Sequence, residues 1–403
     1  MKRVYEILLE EHLSNHRQMI FLSGPRQVGK TTTSLEASLF ESPLHYYFNW
    51  DNEDHRALII EGPQAVALKA RLNEVQEVLP ILVFDEIHKY RNWKRFLKGF
   101  FDTYEKKCRI VVTGSARLDI YKRGGDSLMG RYFLYRLHPL SIREIVDCGL
   151  PAQEIQPPRE INAIDFDTLL TYGGFPEPYL KRNKTFFNHW KRLRIEQLFR
   201  EDLRDLSRIQ EVSQIQLLAE ILQEEASHSL NHSVLAAKIK VSTPTLQRWI
   251  ELLKNLYFCF TIQPWSKNLS RSLIKEPKIY LWNWALIEDP GARLENFVAS
   301  HLYKATQFWT DRGFGDYGLY YLRDKEKREV DFLVTKDKKP WFLVEVKTSG
   351  DKGISRWLYY YQEKLKAPHA FQIAFDLPYV DKDCFQAKEP IIVPAKTFLS
   401  QLI

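Results

Sequence analysis

The sequence predicts an α/β protein that begins with a parallel sheet and continues into helical and further α/β parts. Four short apolar stretches of strand length, separated by helical patterns, lie at residues 18–22, 44–48, 81–84 and 109–113. Strands that alternate with helices are typical of a parallel sheet covered on both faces. The chain of 403 residues is also longer than one ordinary domain, so we expect several domains.

The composition is that of an ordinary globular chain. Hydrophobic residues make up 44% and charged residues 27%, which excludes a disordered chain. No apolar run approaches the roughly 18 residues of a membrane span. Acidic residues interrupt the N-terminal apolar stretch, so we expect no signal peptide, no membrane contact and a cytoplasmic location. The net charge of +7 permits nucleic-acid binding but does not establish it.

The four cysteines argue against two further kinds of site. Cys108, Cys148, Cys259 and Cys384 lie far apart, and no two of them form a C-x-x-C pair. This spacing argues against a zinc ribbon and against a disulfide framework. Thiols in a reducing compartment are the simpler interpretation.

A phosphate-binding loop follows the first strand. Residues 24–31 read Gly24-Pro25-Arg26-Gln27-Val28-Gly29-Lys30-Thr31, which fits G-x-x-x-x-G-K-[ST] without departure. Backbone N–H groups of such a loop face phosphate, so the residues from Gly24 to Thr32 are predicted to contact a nucleotide. Lys30 would reach the β- and γ-phosphates, and Thr31 would bind Mg²⁺ through its hydroxyl. The alternative is a chance glycine-rich turn, against which the order strand, loop and helix argues.

Polar side chains follow the third and the fourth predicted strands. Asp85 and Glu86 follow the third strand, where Asp85 can enter the Mg²⁺ shell and Glu86 can orient or deprotonate the attacking water. Alone, such a pair is usually a solvated strand end, but a phosphate-binding loop in the same sheet favours the catalytic interpretation. Ser115 follows the fourth strand, where it would contact the γ-phosphate or cap the next helix.

Together these residues resemble the AAA+ superfamily of P-loop ATPases. More narrowly, the chain resembles bacterial and archaeal ATP-binding proteins that add a restriction-nuclease-like domain of the PD-(D/E)xK, DUF4143 type. The resemblance covers nearly the whole chain, up to residue 347, and rests on Gly-Pro-Arg-Gln-Val-Gly-Lys-Thr (24–31), Phe-Asp-Glu-Ile-His (84–88), Thr-Gly-Ser (113–115), Gly-Arg (130–131), His-Pro-Leu-Ser (138–141) and Gly-Gly-Phe-Pro-Glu-Pro (173–178).

The resemblance implies a domain order. An α/β P-loop NTPase (AAA+) core with a parallel sheet would span 1–150, and a helical lid and linker 151–210. A winged helix-turn-helix would span 211–265, and an α/β restriction-endonuclease-like domain 266–403. Arg131 stands where the family places an arginine that acts on a neighbouring subunit's γ-phosphate, which implies a homo-oligomer. The alternative is an exposed or paired surface arginine.

Residues 231–254 predict a helix-turn-helix. The first helix would bury one apolar face, formed by Val234, Leu235 and Ile239. Ser242 would cap the second helix, whose apolar face would be Leu246, Trp249, Ile250 and Leu253. The second helix would present three polar side chains to a DNA groove, namely Thr245, Gln247 and Arg248. A strand and wing would follow at 257–264. The alternative is a packing module, since Glu251 on the exposed face would repel phosphate.

A second set of chemical residues lies near the C-terminus. Asp331 lies on one predicted strand, and Glu345 and Lys347 share one face of the next, across a hairpin turn. Glu295, on a predicted helix, could add a carboxylate. The set is similar to the PD-(D/E)xK phosphodiesterase motif, in which Asp331 and Glu345 would bind a second Mg²⁺ or Mn²⁺ and Lys347 would polarise water. The alternative is a simple ion pair, and Asn283 stands where relatives usually have Asp.

Three functions compete on this basis. The first is an ATPase that uses ATP and Mg²⁺ and couples nucleotide state to the binding or processing of nucleic acid, with DNA favoured. The second is an ATP-gated regulatory switch whose nuclease-like domain binds partners without cleaving. The third is a nucleotide-binding structural protein that barely hydrolyses ATP. Glu86 beside Asp85 favours hydrolysis over the third function.

Overall fold

The computed structural model describes residues 1–41, 44–114, 128–202, 211–266 and 276–403. These residues form two compact units. The first consists of residues 1–138 with 148–150, and the second of residues 139–147 with 151–403. Ser115, a predicted nucleotide contact, lies outside the described residues.

The first unit is a five-stranded sheet with helices. Its helices are α1 (Val4–Asn15), α2 (Lys30–Glu41), α3 (Glu53–Glu61), α4 (Pro63–Lys69) and α5 (Trp93–Tyr104). Its strands are β1 (Met19–Ser23), β2 (His45–Asn49), β3 (Ile81–Asp85), β4 (Arg109–Gly114) and β5 (Tyr132–Arg136). The strand order is β2-β3-β4-β1-β5, and every pairing is parallel. The predicted parallel sheet is therefore confirmed, with β5 added to the four strands that the sequence pattern indicated.

Aromatic packing holds α5 against this sheet. Phe84 of β3 contacts Phe96 and Phe100 of α5 with ring centroids 5.8 and 5.7 Å apart. Phe84, Phe100 and Leu97 are buried, and burial of each such side chain stabilises the fold by about 1.5–3 kcal/mol. Because Phe84 directly precedes Asp85, this packing fixes the end of β3.

The second unit begins with helices. They are α6 (Ile142–Val146), α7 (Ala163–Tyr172), α8 (Pro176–Lys181), α9 (Lys184–Gln197), α10 (Val212–Glu224), α11 (His232–Ile239) and α12 (Thr243–Asn255). The pair α11 and α12 is the predicted helix-turn-helix, with Ser242 as N-cap of α12. Leu246, Trp249, Ile250 and Leu253 are buried as predicted. The prediction for Val234 was wrong, because its side chain is 62% exposed while the neighbouring Leu235 takes the buried position.

A seven-stranded mixed sheet completes the second unit. Its elements are β6 (Cys259–Pro264), β7 (Lys278–Leu281), α13 (Pro290–Asp311), β8 (Tyr317–Arg323), β9 (Glu329–Lys336), β10 (Lys339–Lys347), α14 (Arg356–Leu365), β11 (His369–Ala374), β12 (Ile391–Pro394) and α15 (Ala395–Ser400). The strand order is β12-β11-β10-β9-β8-β6-β7. The strand expected to lead into the wing, β6, pairs with both β7 and β8, so the sheet is continuous across the expected boundary at residue 265.

The predicted hairpin turn joins β9 and β10. Both Asp337 and Lys338 at its tip have left-handed backbone angles, with φ of 49° and 64°. Two successive left-handed residues form the tight turn whose twist matches that of paired strands. The turn sets the antiparallel register that pairs Phe332 with Val344, next to the predicted residues Asp331 and Glu345.

The motifs at residues 138–141 and 173–178 contribute residues to the packing of the second unit. A Cβ on Gly173 would lie 2.3 Å from Oδ1 of Asn283, and a Cβ on Gly174 would lie 2.7 Å from the carbonyl oxygen of Leu140. Lys304 of α13 donates hydrogen bonds to Glu144 and to Ser141, at 2.5 and 2.9 Å. The glycines permit this close packing, since no larger residue fits there.

Helices of membrane-spanning character are absent from the described part of the chain, because none of its helices combines sufficient length with sufficient hydropathy.

Candidate functional site

The phosphate-binding loop connects β1 to α2 and has the backbone that its sequence requires. Gly24 and Gly29 have φ of 152° and 100°, and Gln27 between them is left-handed at 61°. A Cβ on Gly24 would lie 2.4 Å from the carbonyl oxygen of Leu137, so only glycine fits. Helix α2 starts at Lys30, which points the positive end of its dipole at the loop.

Lys30 lies inside this loop. Its side chain is buried, and its Nζ donates hydrogen bonds to the carbonyl oxygens of Gly24 and Pro25 at 2.9 and 2.8 Å. Both acceptors are neutral backbone groups. These two contacts hold the ammonium group inside the loop.

A buried arginine that the sequence interpretation missed supports the loop. The guanidinium of Arg3 donates to the carbonyl oxygen of Val28 at 2.9 Å and to that of His138 at 2.7 Å. Arg3 is 4% exposed and directly precedes α1. An arginine at the third position of a chain has no local signal for such a role, because both of its partners are distant in sequence.

Asp85 ends β3 beside the loop and accepts hydrogen bonds from three hydroxyls. Thr31 Oγ1 and Tyr47 Oη donate to its Oδ2 at 2.9 and 2.7 Å, and Thr113 Oγ1 donates to its Oδ1. The structure thus brings together the predicted pair Thr31 and Asp85. Thr113 could have been found from the strand register, which pairs it with Asp85, whereas Tyr47 on β2 had no motif to mark it.

These hydroxyls do not themselves compensate the charge of Asp85. Burial raises the pKa of Tyr47, and its hydrogen bond to Asp85 raises it further, so the phenol stays protonated and acts as a donor. Neutral donors orient a carboxylate without cancelling its charge. The carboxylate remains an acceptor for a cation.

Glu86 follows in a left-handed conformation, with φ of 56°. Its Oε2 lies 3.4 Å from Nζ of Lys89 and 3.7 Å from Nε2 of His88. Within the described residues this oxygen has no hydrogen-bond partner. Lys89 is itself bound to Asp51, at 2.7 Å. Burial alone would lower the pKa of Lys89, but the bond to Asp51 and the charge of Glu86 overcome this and raise it.

Arg131 precedes β5 and pairs within its own chain. Its Nε and one terminal nitrogen donate to the two carboxylate oxygens of Asp102, at 2.7 and 3.0 Å. This two-pronged hydrogen bond to Arg131 lowers the pKa of Asp102. The geometry matches the paired surface arginine, one of the two alternatives that the sequence left open.

The C-terminal residues Glu295, Asp331, Glu345 and Lys347 also meet, around a lysine that the sequence interpretation missed. We call these four residues, with Lys278 and Glu329, the carboxylate cluster. Nζ of Lys278 lies 2.7 Å from Oε1 of Glu329, 3.1 Å from Oε1 of Glu295 and 3.7 Å from Oδ1 of Asp331. Lys347 donates to Oε1 of Glu345 at 2.8 Å.

Burial and mutual repulsion shift the acids of this cluster. Burial, with the charge of Asp331, raises the pKa of Glu295 to about 8 and that of Glu345 to about 7. Burial would lower the pKa of Lys278, but the charges of Glu295, Asp331 and Glu329 raise it above its ordinary value. Lys278 is therefore a permanent cation in this cluster. No group of three or more His, Cys, Asp or Glu side chains in the described ranges is arranged to hold a metal ion.

The surface predicted to contact DNA lies on α12. Gln247 and Arg248 are exposed, as predicted, while Oγ1 of Thr245 lies 2.9 Å from Oγ of Ser242 in the helix cap. Glu251 is exposed and accepts a hydrogen bond from Lys254 at 2.7 Å. This pairing offsets the negative charge of Glu251 on the exposed face.

Comparison with known families divides the chain into three matched segments. Residues 16–146 match the model of an AAA domain. Residues 163–289 and 290–376 match two domains of unknown function, DUF8612 and DUF4143. The first unit therefore has the fold of an AAA-type P-loop NTPase, which supports ATP binding and ATPase-type activity in general. The expected DUF4143 segment is also confirmed.

Curated relatives extend the similarity along the chain. An uncharacterized protein of Mycobacterium tuberculosis, Rv2008c, is 23% identical over 353 residues, which cover 84% of this chain and 72% of the relative. An uncharacterized protein of Methanocaldococcus jannaschii, MJ1544, is 25% identical over 291 residues, 65% of this chain and 62% of the relative.

Solved structures resemble the chain only in part. The Thermotoga maritima RuvB Holliday junction branch migration motor is 16% identical with a TM-score of 0.33, and covers 64% of this chain and 88% of its own. AMPPCP-bound DnaA from Aquifex aeolicus is 14% identical with a TM-score of 0.33, and the match covers 61% of this chain and 86% of the DnaA chain. At these scores the likeness says nothing about function.

Proposed function

We propose that the first unit binds ATP with Mg²⁺ and hydrolyses it. The observation that carries this proposal is the 2.9 Å hydrogen bond between Asp85 and Thr31, the residue that follows the buried Lys30 of the phosphate-binding loop. A hydroxyl and a carboxylate are the oxygen ligands that Mg²⁺ prefers, and they fit this ion. When bound, Mg²⁺ would neutralise charge on the phosphates as the terminal one is transferred.

Each residue has a distinct task in this proposal. The backbone from Gly24 to Thr32 holds the phosphates, and Lys30 supplies positive charge to the β- and γ-phosphates. Glu86 accepts the proton of the attacking water. Its Oε2 supports this role, because it accepts no hydrogen bond within the described residues and keeps a lone pair for a water proton, with Lys89 Nζ at 3.4 Å.

Glu86→Gln tests the hydrolytic step. The amide keeps the shape of the side chain but cannot take a proton, so the variant should bind ATP normally and lose most of its turnover. Equilibrium binding of a fluorescent ATP analogue and phosphate release would be measured on the same samples. Glu77→Gln, an exposed acid of the same unit, is the matched control. Turnover of Glu86→Gln at the rate of this control would assign the base elsewhere.

We also propose that subunits assemble, so that Arg131 acts on a neighbour's nucleotide. The partial exposure of Arg131 supports this, although the arginine would have to leave Asp102. Mixed assemblies of Arg131→Ala and Lys30→Ala subunits should recover activity, because some interfaces combine an intact Arg131 with an intact Lys30. Assembled mixtures without recovery would count against the idea.

Nucleotide state is proposed to control nucleic-acid binding, with DNA favoured. The exposed Gln247 and Arg248 on the second helix of the helix-turn-helix support this. Arg248→Ala should weaken duplex binding in fluorescence anisotropy by about 1–3 kcal/mol if it contacts a base. The exposed Arg95 of the first unit provides the control variant Arg95→Ala. Equal affinity of both variants would remove α12 from the interface.

The C-terminal domain has two proposed roles. In one it processes nucleic acid at Glu295, Asp331, Glu345 and Lys347 with a second Mg²⁺ or Mn²⁺. In the other it binds a partner without cleavage, as part of an ATP-gated switch. The contacts of Lys278 favour the second role, because its ammonium group already binds Glu295 and Glu329 and lies 3.7 Å from Asp331. Incubation of the full chain with ATP, Mn²⁺ and a panel of DNA and RNA distinguishes the roles, and cleavage lost in Lys347→Ala would establish the first.

A further inference from the structure

Lys278 is fixed at the centre of the carboxylate cluster. It is the first residue of β7, and its side chain is 5% exposed. Its three carboxylate neighbours come from two other elements, Glu295 from α13 and the pair Glu329 and Asp331 from β9. A buried lysine with three acids within 3.7 Å is held by charge from several directions, so it has no low-energy alternative position.

Two of the oxygens that a metal could use already accept hydrogen bonds. Oε1 of Glu295 accepts from both Lys278 and the hydroxyl of Tyr280, at 3.1 and 2.8 Å. Oδ2 of Asp331 accepts from the backbone N–H of Val346 at 2.8 Å. A divalent cation would compete with these donors and would also approach the fixed ammonium charge closely, because its oxygen ligands lie only about 2.0–2.6 Å away.

We infer that Lys278 is the resident cation of the carboxylate cluster and makes this site independent of divalent metal. The PD-(D/E)xK resemblance implies a metal for Asp331 and Glu345, and the residues around them do not fit one. The lysine performs the task that a metal would otherwise have, which is to hold the acids of β9 and α13 together. This inference does not depend on ATP hydrolysis, and it bears on the choice between the two C-terminal roles proposed above.

One oxygen of the cluster indicates what the loss of Lys278 would produce. Oε2 of Glu345 is buried and has no hydrogen-bond partner among the described residues. Without the ammonium group, Glu295, Asp331 and Glu345 would present carboxylates to one another with Lys347 as the remaining cation. Such a group should acquire affinity for a divalent cation that the natural protein lacks.

Calorimetric titration of the nucleotide-free full chain with MnCl₂ tests the inference. Wild type and Asp331→Asn should give the same titration curve, because Asp331 binds no metal in the wild type. Lys278→Met should gain one Mn²⁺ site, at least about tenfold tighter than any site of the wild type. That site should disappear in Lys278→Met/Asp331→Asn. The methionine keeps the length of the lysine side chain without its charge.

Folding of the variants must be separated from binding. Lys278→Met/Glu329→Gln carries one carboxylate fewer and should therefore fold more stably than Lys278→Met. In this variant, Mn²⁺ binding is measured as a rise in melting temperature on addition of Mn²⁺. A wild-type Mn²⁺ site that Asp331→Asn abolishes would overturn the inference. It would also be overturned if folded Lys278→Met or Lys278→Met/Glu329→Gln gained no site. The comparison of wild type with Asp331→Asn needs no Lys278 variant, so it decides the question even if the Lys278 variants fail to fold. ATP binding, measured separately, reports on the proposed ATPase alone.

Discussion

Asp85, at the end of β3, and Asp331, near the start of β9, are both acids of a strand, but they meet different neighbours. Asp85 accepts hydrogen bonds from the hydroxyls of Thr31, Tyr47 and Thr113. Asp331 faces Lys278 and accepts from a backbone amide. Hydroxyls and amides orient a carboxylate and leave its charge in place, whereas an ammonium group cancels it. The same residue type can therefore attract a cation in the first unit and be neutralised in the second.

Lys30 and Lys278, the buried lysines of the two sites, also differ in the charge of their partners. Lys30 donates to the neutral carbonyl oxygens of Gly24 and Pro25, and in the proposed function its charge serves the β- and γ-phosphates. Lys278 lies among acids, so its charge is already used. Burial alone does not distinguish a binding lysine from a structural one. The charge of its partners does.

The largest effect is expected for Lys30→Ala. Hydrogen bonds to charged groups contribute about 1.5–3 kcal/mol each. Loss of the contacts to two phosphates should therefore weaken ATP binding by roughly 100-fold or more. Equilibrium binding of a fluorescent ATP analogue measures this. Lys69→Ala, which removes an exposed lysine of the same unit, should bind as the wild type does. Unchanged affinity of Lys30→Ala would show that this amine is as neutralised as that of Lys278.

Asp85→Asn should have the next largest effect. The amide keeps a hydrogen-bonding shape but loses the charge that hydroxyl partners leave available to Mg²⁺. The cation is worth several kcal/mol to the transfer step, so turnover should fall roughly 30- to 100-fold. Phosphate release at saturating ATP measures this, with the exposed Asp54→Asn as control. Full activity of Asp85→Asn would mean that the charge of Asp85 has no catalytic use. The proposed difference between Asp85, which binds a cation, and Asp331, which is paired with Lys278, would then be lost.

The local motifs were visible in the sequence, and the contacts between distant residues were not. The phosphate-binding loop, the four strands and the buried face of α12 follow from spacing within short segments. Lys278 precedes Glu295 by 17 positions and reaches β9, which is much further along the chain. A lysine at the start of a short strand normally reaches solvent, so no local pattern marks Lys278 as a partner of buried acids. Tyr47 and Arg3 were missed for the same reason.

Stability should depend on pH through the carboxylate cluster. In the folded chain the pKa of Glu295 is raised to about 8 and that of Glu345 to about 7, above the unfolded value of 4.5. The folded state therefore keeps protons that the unfolded chain releases. Between about pH 5 and pH 8 the free energy of unfolding should fall as pH rises, by up to about 1.4 kcal/mol per pH unit for each group.

Glu295→Gln isolates this contribution, because glutamine resembles the protonated acid at every pH. Urea unfolding across the same pH range should give a smaller slope for the variant than for the wild type. Equal slopes would mean that Glu295 is ionised throughout, with its charge balanced by Lys278 and a further cation. In that case the acids of the carboxylate cluster would be ionised, as we propose for Asp85.

The smallest effect is expected for Tyr47→Phe, which removes one of the three hydroxyls that orient Asp85. A neutral hydrogen bond contributes about 0.5–1.5 kcal/mol, and Thr31 still holds the same carboxylate oxygen. The Mg²⁺ concentration for half-maximal turnover should therefore rise by roughly 2- to 10-fold, while turnover at saturating Mg²⁺ changes little. Tyr46→Phe, whose ring packs on the hydrophobic core of the same unit, is the matched control. A fall in the Mg²⁺ requirement would show that Tyr47 competes with the ion for Oδ2 rather than orienting the carboxylate. Hydroxyl partners would then tune cation affinity downwards, a weaker form of what Lys278 does to Asp331.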